Sequence, residues 1–321
     1  MFSAARAKQE SNPSRDKIRA LCALLLSRVM GQEEAVESSI IVLLAGGHLL
    51  LEGPPGVGKT SLAQAIAGIF HGSFRRIQMT SDLLPSDVLG SLRLKPGTTE
   101  LEFRPGPIFS HVLLADELNR TSAKTQAALL EAMAEGKVSV DGITYSLPQP
   151  FFVVATQNPQ EFHGVYPLSE SQLDRFTMHI NLAFPPEEAE LEVYRQHGAS
   201  STRALEATEA LASEELIAIR AQVARVFVED SLIRYAQSIA HALRMVEDVI
   251  HAASIRSVLQ LLDCAKARAF LKGREFVMPE DISSLAPGVL AHRLCFRSGE
   301  VSALKRKEIV RYVLERVDTP K

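Results

Sequence analysis

The chain has 321 residues, of which 46% are apolar and 23% charged, and its net charge is -3. That is the balance of a soluble protein of about two domains. It offers no global electrostatic pull toward nucleic acid or an anionic membrane. The three cysteines, Cys22, Cys264 and Cys295, are far apart and form no C-x-x-C, so neither a zinc site nor a disulfide framework is indicated. A reducing, cytoplasmic compartment is expected. The apolar stretch 40–51 is broken by Gly46-Gly47-His48 and is shorter than the roughly 20 residues a membrane span needs. The first 17 residues are polar, carry no signal-peptide core and are expected to fray.

From residue 48 onward, strand candidates alternate with helix candidates. A strand at 48–52 leads into a glycine-rich turn, then a helix at 59–69 with Leu62, Ile66 and Ile69 at helical spacing. A strand follows at 74–79, and a hairpin is expected to pair 92–94 with 101–103 across KPGTTE. A strand at 112–115 precedes a helix at 121–135, whose inner face is expected to carry Ala127, Leu130 and Met133, with Gly136 as its stop. Residues 138–147 alternate around Asp141-Gly142, a strong hairpin signal. Strands at 151–156 and 176–184 complete the pattern. Such alternation predicts an α/β fold: a parallel sheet with helices on both sides. After Pro185-Pro186 no strong strand is expected. Helices are predicted to begin at Glu187, near Ser213, and at Asp230, Ser254 and Pro279, with a loose connection over 198–210. The expected organisation is an α/β core at 1–184, interrupted by inserts at about 82–104 and 137–148, and an all-helical domain at 185–321.

Gly53-Pro54-Pro55-Gly56-Val57-Gly58-Lys59-Thr60 fits G-x-x-x-x-G-K-[ST], and it lies between a strand and a helix, as that motif requires. Glycines let successive N–H groups face one concavity, and the following helix adds its positive end. Lys59 can reach β- and γ-phosphates, and the Thr60 hydroxyl, followed by Ser61, can take a place on Mg²⁺. The loop is therefore expected to hold a nucleoside triphosphate. The run VLLADE ends a strand in two acids: Asp116 to hold Mg²⁺, and Glu117 to activate the attacking water. Asn158 ends the next strand and could touch the γ-phosphate or the water. On their own, Asn158 is more often a turn residue, Arg175 more often half of a surface ion pair, and Arg256 an unremarkable position beside an apolar helical stripe.

Together these residues resemble the MoxR family of AAA+ ATPases. The segments "TSDLLPSDVLG", "EFRPGPIFSHVLLADELNR", "ATQNP" and "YPLSESQLDRF" carry the likeness, which spans about residues 28–320. It implies a P-loop NTPase core with a helical lid. It also implies Asn158 as sensor 1, Arg175 as a finger reaching a neighbour's ATP, and Arg256 as a sensor 2 that ties the lid to the γ-phosphate. Gly31-Gln32 match the segment near the adenine. Ala252-Ala253-Ser254-Ile255-Arg256 stands where the family commonly has Gly-Ala-Ser-Pro-Arg. The activity implied is that of an ATP-hydrolysing homo-oligomer, a hexameric ring with a chaperone-like role in maturing or activating protein complexes. Such proteins act with partners carrying a von Willebrand factor A domain. A nucleic-acid motor, suggested by Arg75-Arg76 and the hairpins, and a chelatase-type metal-insertion subunit are the alternatives.

Overall fold

The computed structural model describes residues 12–69, 72–158, 166–198, 210–299 and 301–320. The expected connection over 198–210 therefore lies almost wholly outside the described residues. In chain order, α1 (Pro13–Arg28) and α2 (Glu33–Leu44) precede β1 (Leu49–Glu52) and α3 (Lys59–Ala67). Next come β2 (Phe74–Gln78), α4 (Pro85–Leu89), β3 (Gly90–Leu94), β4 (Leu101–Pro105), β5 (Val112–Asp116) and α5 (Ala123–Glu135). The hairpin β6 (Lys137–Val140) and β7 (Ile143–Ser146) is followed by β8 (Phe152–Gln157), α6 (Glu170–Leu173) and β9 (Met178–Asn181). The C-terminal region holds α7 (Glu187–Gly198), α8 (Ser213–Ala224), α9 (Asp230–Arg244), β10 (Val249–His251), α10 (Ile255–Leu271), α11 (Pro279–Leu290), β11 (Cys295–Phe296) and α12 (Ala303–Leu314).

Five strands form one sheet in the order β2-β5-β8-β1-β9, every pairing parallel. Side chains alternate between its faces, as strand geometry demands. Leu49, Leu51, Val112, Leu114, Phe152 and Val154 face one core with α1, α2, α3 and the C-terminal helices. Leu50, Leu113, Ala115, Val153 and Ala155 face the other, covered by α5 and the inserts. The first core is continuous from the sheet into α8–α12, so the C-terminal helices are packed onto the sheet layer. From β1 the chain crosses to the far edge at β2, returns through β5 and β8, then adds β9 on β1's other side. The C-terminal end of β1 is thus the crevice where open parallel sheets bind ligands.

Three expectations are corrected. The polar N-terminus is ordered from Asn12 onward: Asn12 caps α1 by accepting from the N–H groups of Ser14 and Arg15, and Pro13 sits in the first turn. On the inner face of α5, Leu129, Leu130, Ala132 and Met133 are buried, whereas Ala127 is exposed. The C-terminal region is not purely helical, because β10 and β11 pair as a short antiparallel ribbon.

Both hairpins form. Asp141 and Gly142 have φ of 47° and 81°, the two positive values that a tight two-residue turn needs. Leu94 pairs with Leu101 at the tip of the other hairpin, and both are exposed. The rings of Phe103 and Tyr145 stack at 4.0 Å and join the two hairpins.

Candidate functional site

The loop 53–61 leaves the C-terminal end of β1. A Cβ on Gly53 would lie 2.5 Å from the Leu182 carbonyl oxygen, so only glycine permits this approach to the β9 end. Gly56 and Gly58 adopt φ of 85° and 92°, and space is open around both. Pro54 and Pro55 hold the intervening turn, and Val57 is buried beneath it. Thr60 and Ser61 occupy the first turn of α3, where N–H groups have no helical partner and face an anion readily. Lys59 Nζ donates to the carbonyl oxygens of Gly53 at 2.8 Å and Gln157 at 3.5 Å, which holds its charge across the mouth of the loop.

The acids lie two strands away on the same edge. All of β5 is buried, and Asp116 at its end is 8% exposed. Asp116 Oδ1 accepts from Thr156 Oγ1 at 2.6 Å, and Thr156 Oγ1 in turn accepts from the Glu117 N–H at 2.9 Å. Asp116 Oδ2 accepts from Arg76 Nε at 3.2 Å and Nη2 at 2.6 Å. Glu117 has a left-handed backbone, φ 58°. Its Oε2 accepts from Gln78 Nε2 at 2.5 Å and lies 3.3 Å from Arg120 Nε. Asn158 is buried directly after β8, beside the Gln157 carbonyl that Lys59 reaches. The fold thus brings Lys59, Thr60, Asp116, Glu117 and Asn158 to one edge.

Gln78 and Thr156 carry no signal of their own in the sequence, and Arg76 reads there only as half of the basic pair Arg75-Arg76. Arg76 and Gln78 lie two residues apart on β2, hence on one face, and Gln78 is in register with Asp116. Knowing that β2 pairs with β5 would have exposed them; the strand order is not written locally. Arg76→Gln should leave the buried Asp116 short of its charged partner. We expect a loss of about 1–2 kcal/mol, because Arg76 is half exposed and an orphaned buried group costs about 1–3. Thermal unfolding of the nucleotide-free protein checks this; an unchanged midpoint would mean that solvent replaces the guanidinium.

Gly31 and Gln32 sit just before α2. Gln32 Nε2 donates to the Ala183 carbonyl oxygen at 2.6 Å, and a Cβ on Gly31 would meet Pro185 Cβ at 2.8 Å. Beside them a cavity of about 480 Å³ opens between α2, β9, α11 and α12, lined by Asn181, Phe184, Ser284, Lys307 and Arg311 among others. No residue of the loop 53–61 lines it. Burial lowers the Lys307 ammonium from its ordinary value, an effect that Glu34 opposes. His179 Nε2 lies 2.8 Å from Glu52 Oε2 at the root of the loop. Burial alone would raise the Glu52 carboxyl, but His179 and the more distant Arg306 bring it below its usual range.

The two arginines are elsewhere. β1 and β9 run parallel, with Leu49 opposite Met178 and Glu52 opposite Asn181. The loop follows Glu52, whereas Arg175 precedes Met178, so they occupy opposite edges of the sheet. At about 3.3 Å per residue the strands alone separate them by about 10 Å, before the flanking residues are counted. Arg175 Nη1 donates to the Leu130 carbonyl oxygen at 2.9 Å and makes no pair with Asp174. Asp174 Oδ1 instead lies 2.9 Å from Arg293 Nε and accepts from Ser254 Oγ at 3.2 Å. Ser254 also caps α10 by accepting from the Ser257 N–H, so the helix starts without the proline usual at Ile255. That anchoring puts exposed Arg256, the second residue of α10, on the Arg175 edge. The expectation that Arg256 ties the lid to its own chain's γ-phosphate does not fit this placement.

Comparison with known proteins agrees with this architecture. The family described as "ATPase family associated with various cellular activities (AAA)" matches residues 48–178, and "AAA lid domain" matches residues 242–312. An uncharacterized protein, YeaC of Bacillus subtilis, is 43% identical over 298 residues, covering 92% of each chain. Chaperone MoxR1 of Mycobacterium tuberculosis is 40% identical over 275 residues, 83% of this chain and 72% of that protein. A crystal structure of an inferred ATPase from Cytophaga hutchinsonii superimposes with a TM-score of 0.87 at 35% identity, over 96% of each chain. The chain belongs to the MoxR family of AAA+ proteins and is an ATPase.

Proposed function

We propose that this ATPase works as a closed oligomer, a hexameric ring, in which each ATP site is built from two subunits. The observation that carries this reading is the placement of charged groups. Lys59, Thr60, Asp116 and Glu117 lie at the C-terminal edge of the sheet, and Arg175 and Arg256 at the opposite one. An arginine on the far edge can serve a phosphate only in a neighbour. Head-to-tail packing about a rotation axis turns such a mismatch into a ring.

In this reading the loop 53–61 takes the phosphates, and the cavity beside Gly31 and Gln32 takes the base and sugar. The donors fit Mg²⁺: the Thr60 hydroxyl and the Asp116 carboxylate are hard oxygen ligands, and Asp116 Oδ1 keeps a further lone pair beyond its bond from Thr156, whereas Oδ2 accepts twice from Arg76. Bound there, Mg²⁺ would neutralise charge on the β- and γ-phosphates. Glu117 accepts the proton of the attacking water, oriented by its bonds to Gln78 and Arg120, and Asn158 positions that water or the γ-phosphate. Arg175 and Arg256 of the adjacent subunit stabilise the charge of the transition state.

The division into a core at 1–184 and a lid at 185–321 remains our reading of the chain. The relative named a chaperone supports a chaperone-like role, with the linked hairpins β3–β4 and β6–β7 as the surface that touches a client complex. A von Willebrand factor A domain protein is the partner we propose, and the cytoplasm the compartment. Among the described residues no helix is long and apolar enough to cross a membrane. A nucleic-acid motor is not favoured, because Arg76 of the basic pair is engaged on Asp116.

Lys59→Ala tests the nucleotide site. It removes the charge facing the β- and γ-phosphates, so affinity for a fluorescent ATP analogue should fall by about tenfold or more, the scale of one desolvated charge-assisted bond. Titration at fixed Mg²⁺ reads this directly; wild-type affinity would mean that the loop is not the phosphate cradle.

A further inference from the structure

A shared site requires the loop edge of one subunit to face the Arg175 edge of the next, and each edge carries an unpartnered apolar surface. On the loop edge, α7 follows at once from Ala183 and Phe184, which line the cavity. None of residues 187–195 is buried, although Ala189 leans on Gly31. Phe184, Leu191 and Tyr194 are 64%, 48% and 62% exposed. A helix of 12 residues with so little burial lacks the tertiary packing that normally sustains one.

On the other edge, Ile255 and Leu259 stand exposed on α10 on either side of Arg256, 78% and 57% respectively. They continue along one stripe of the helix into a groove of about 360 Å³ between the α8–α9 connection, α9 and α10, walled by Val226, Phe227, Ile233 and Leu262. The charges are complementary. Arg225 and Lys266 line the groove, Lys266 lying 3.7 Å from Asp263, the acid among its lining residues; on α9 exposed Arg234 follows Ile233, with Glu229 and Asp230 at the helix start. The helix α7 carries Glu187, Glu188, Glu190 and Glu192 against one arginine, Arg195.

We propose that α7 of one copy docks into the α9–α10 groove of the next, with its acids toward Arg225, Arg234 and Lys266. This contact seats Arg256 at the neighbour's nucleotide, so the lid is part of the ring joint. The inference rests on the two-subunit site proposed above and adds the surface that forms it.

The test uses the full chain with Cys22 and Cys295 replaced by serine; Cys264 is fully buried and stays. Tyr194→Cys and Leu259→Cys are introduced together and singly, then oxidised mildly with Mg²⁺ and a slowly hydrolysed ATP analogue. The double variant should give a ladder of crosslinked chains, and each single variant none. In parallel, Leu259→Asp should sediment as a monomer with nucleotide affinity within about twofold of wild type. Its turnover should fall by at least about tenfold, because no neighbour supplies an arginine. A sedimenting ring without a ladder would overturn the α7 docking and leave the shared site standing. A chain that remains monomeric with nucleotide, again without a ladder, would overturn both.

Discussion

Arg175→Ala should bind ATP with near wild-type affinity and hydrolyse it about a thousandfold more slowly, the scale of an arginine finger in related nucleotide hydrolases. Affinity survives because Lys59, Thr60 and the glycine cradle lie on the other edge of the sheet from the substitution. The rate collapses because charge develops on the γ-phosphoryl oxygens only in the transition state, where a guanidinium counts most. A structural role makes a different forecast. Arg175 donates to the Leu130 carbonyl oxygen in α5, so its loss could merely loosen α5 against β9. That would lower the thermal midpoint and be repaired by Arg175→Lys, whose ammonium can still reach a carbonyl. A finger is not repaired by lysine, which lacks the planar fork. Turnover of the lysine variant, measured beside its melting temperature, separates the two roles.

Glu117→Gln should bind ATP and Mg²⁺ and turn over at least about a hundredfold more slowly, since an amide of the same shape cannot take the proton of the attacking water. The geometry sharpens the case. The left-handed turn at Glu117 carries its carboxylate past the end of β5, where Gln78 and Arg120 hold one oxygen. The other oxygen is left to meet water. Single-turnover hydrolysis is the measurement, and a rate within about threefold of wild type would exclude Glu117 as the base.

The parts of this molecule that could be read from the chain are those written locally. The glycine-lysine loop, the alternation of apolar runs and the Asp141-Gly142 turn each declare themselves within about ten residues. The starts of α7, α8, α9 and α11 fall at Glu187, Ser213, Asp230 and Pro279, where prolines or first-turn acids mark them. The start of α1 is written just as locally in Asn12-Pro13, inside a polar segment whose apolar residues are too few to announce a helix. What was not legible depends on pairing at a distance. Arg76 reads as half of a surface basic pair until β2 is known to lie beside β5. Arg256 reads as a lid residue above its own phosphate until Ser254 and Arg293, 80 and 119 residues from Asp174, are seen to converge on it. The ribbon β10–β11 joins segments too short to carry a periodicity.

The shared site is tested most directly by mixing two inactive proteins. Arg175→Ala subunits keep Lys59 and Glu117 but lack the finger, and Lys59→Ala subunits, assayed at ATP concentrations well below their weakened affinity, stay essentially empty but keep the finger. Neither should turn over alone. Combined under conditions that allow subunit exchange, with mixed assemblies verified by crosslinking, they should recover partial ATPase activity, because the finger of one completes the pocket of the other. Mixed assemblies that remain as inactive as their separate components would contradict a site built across two subunits.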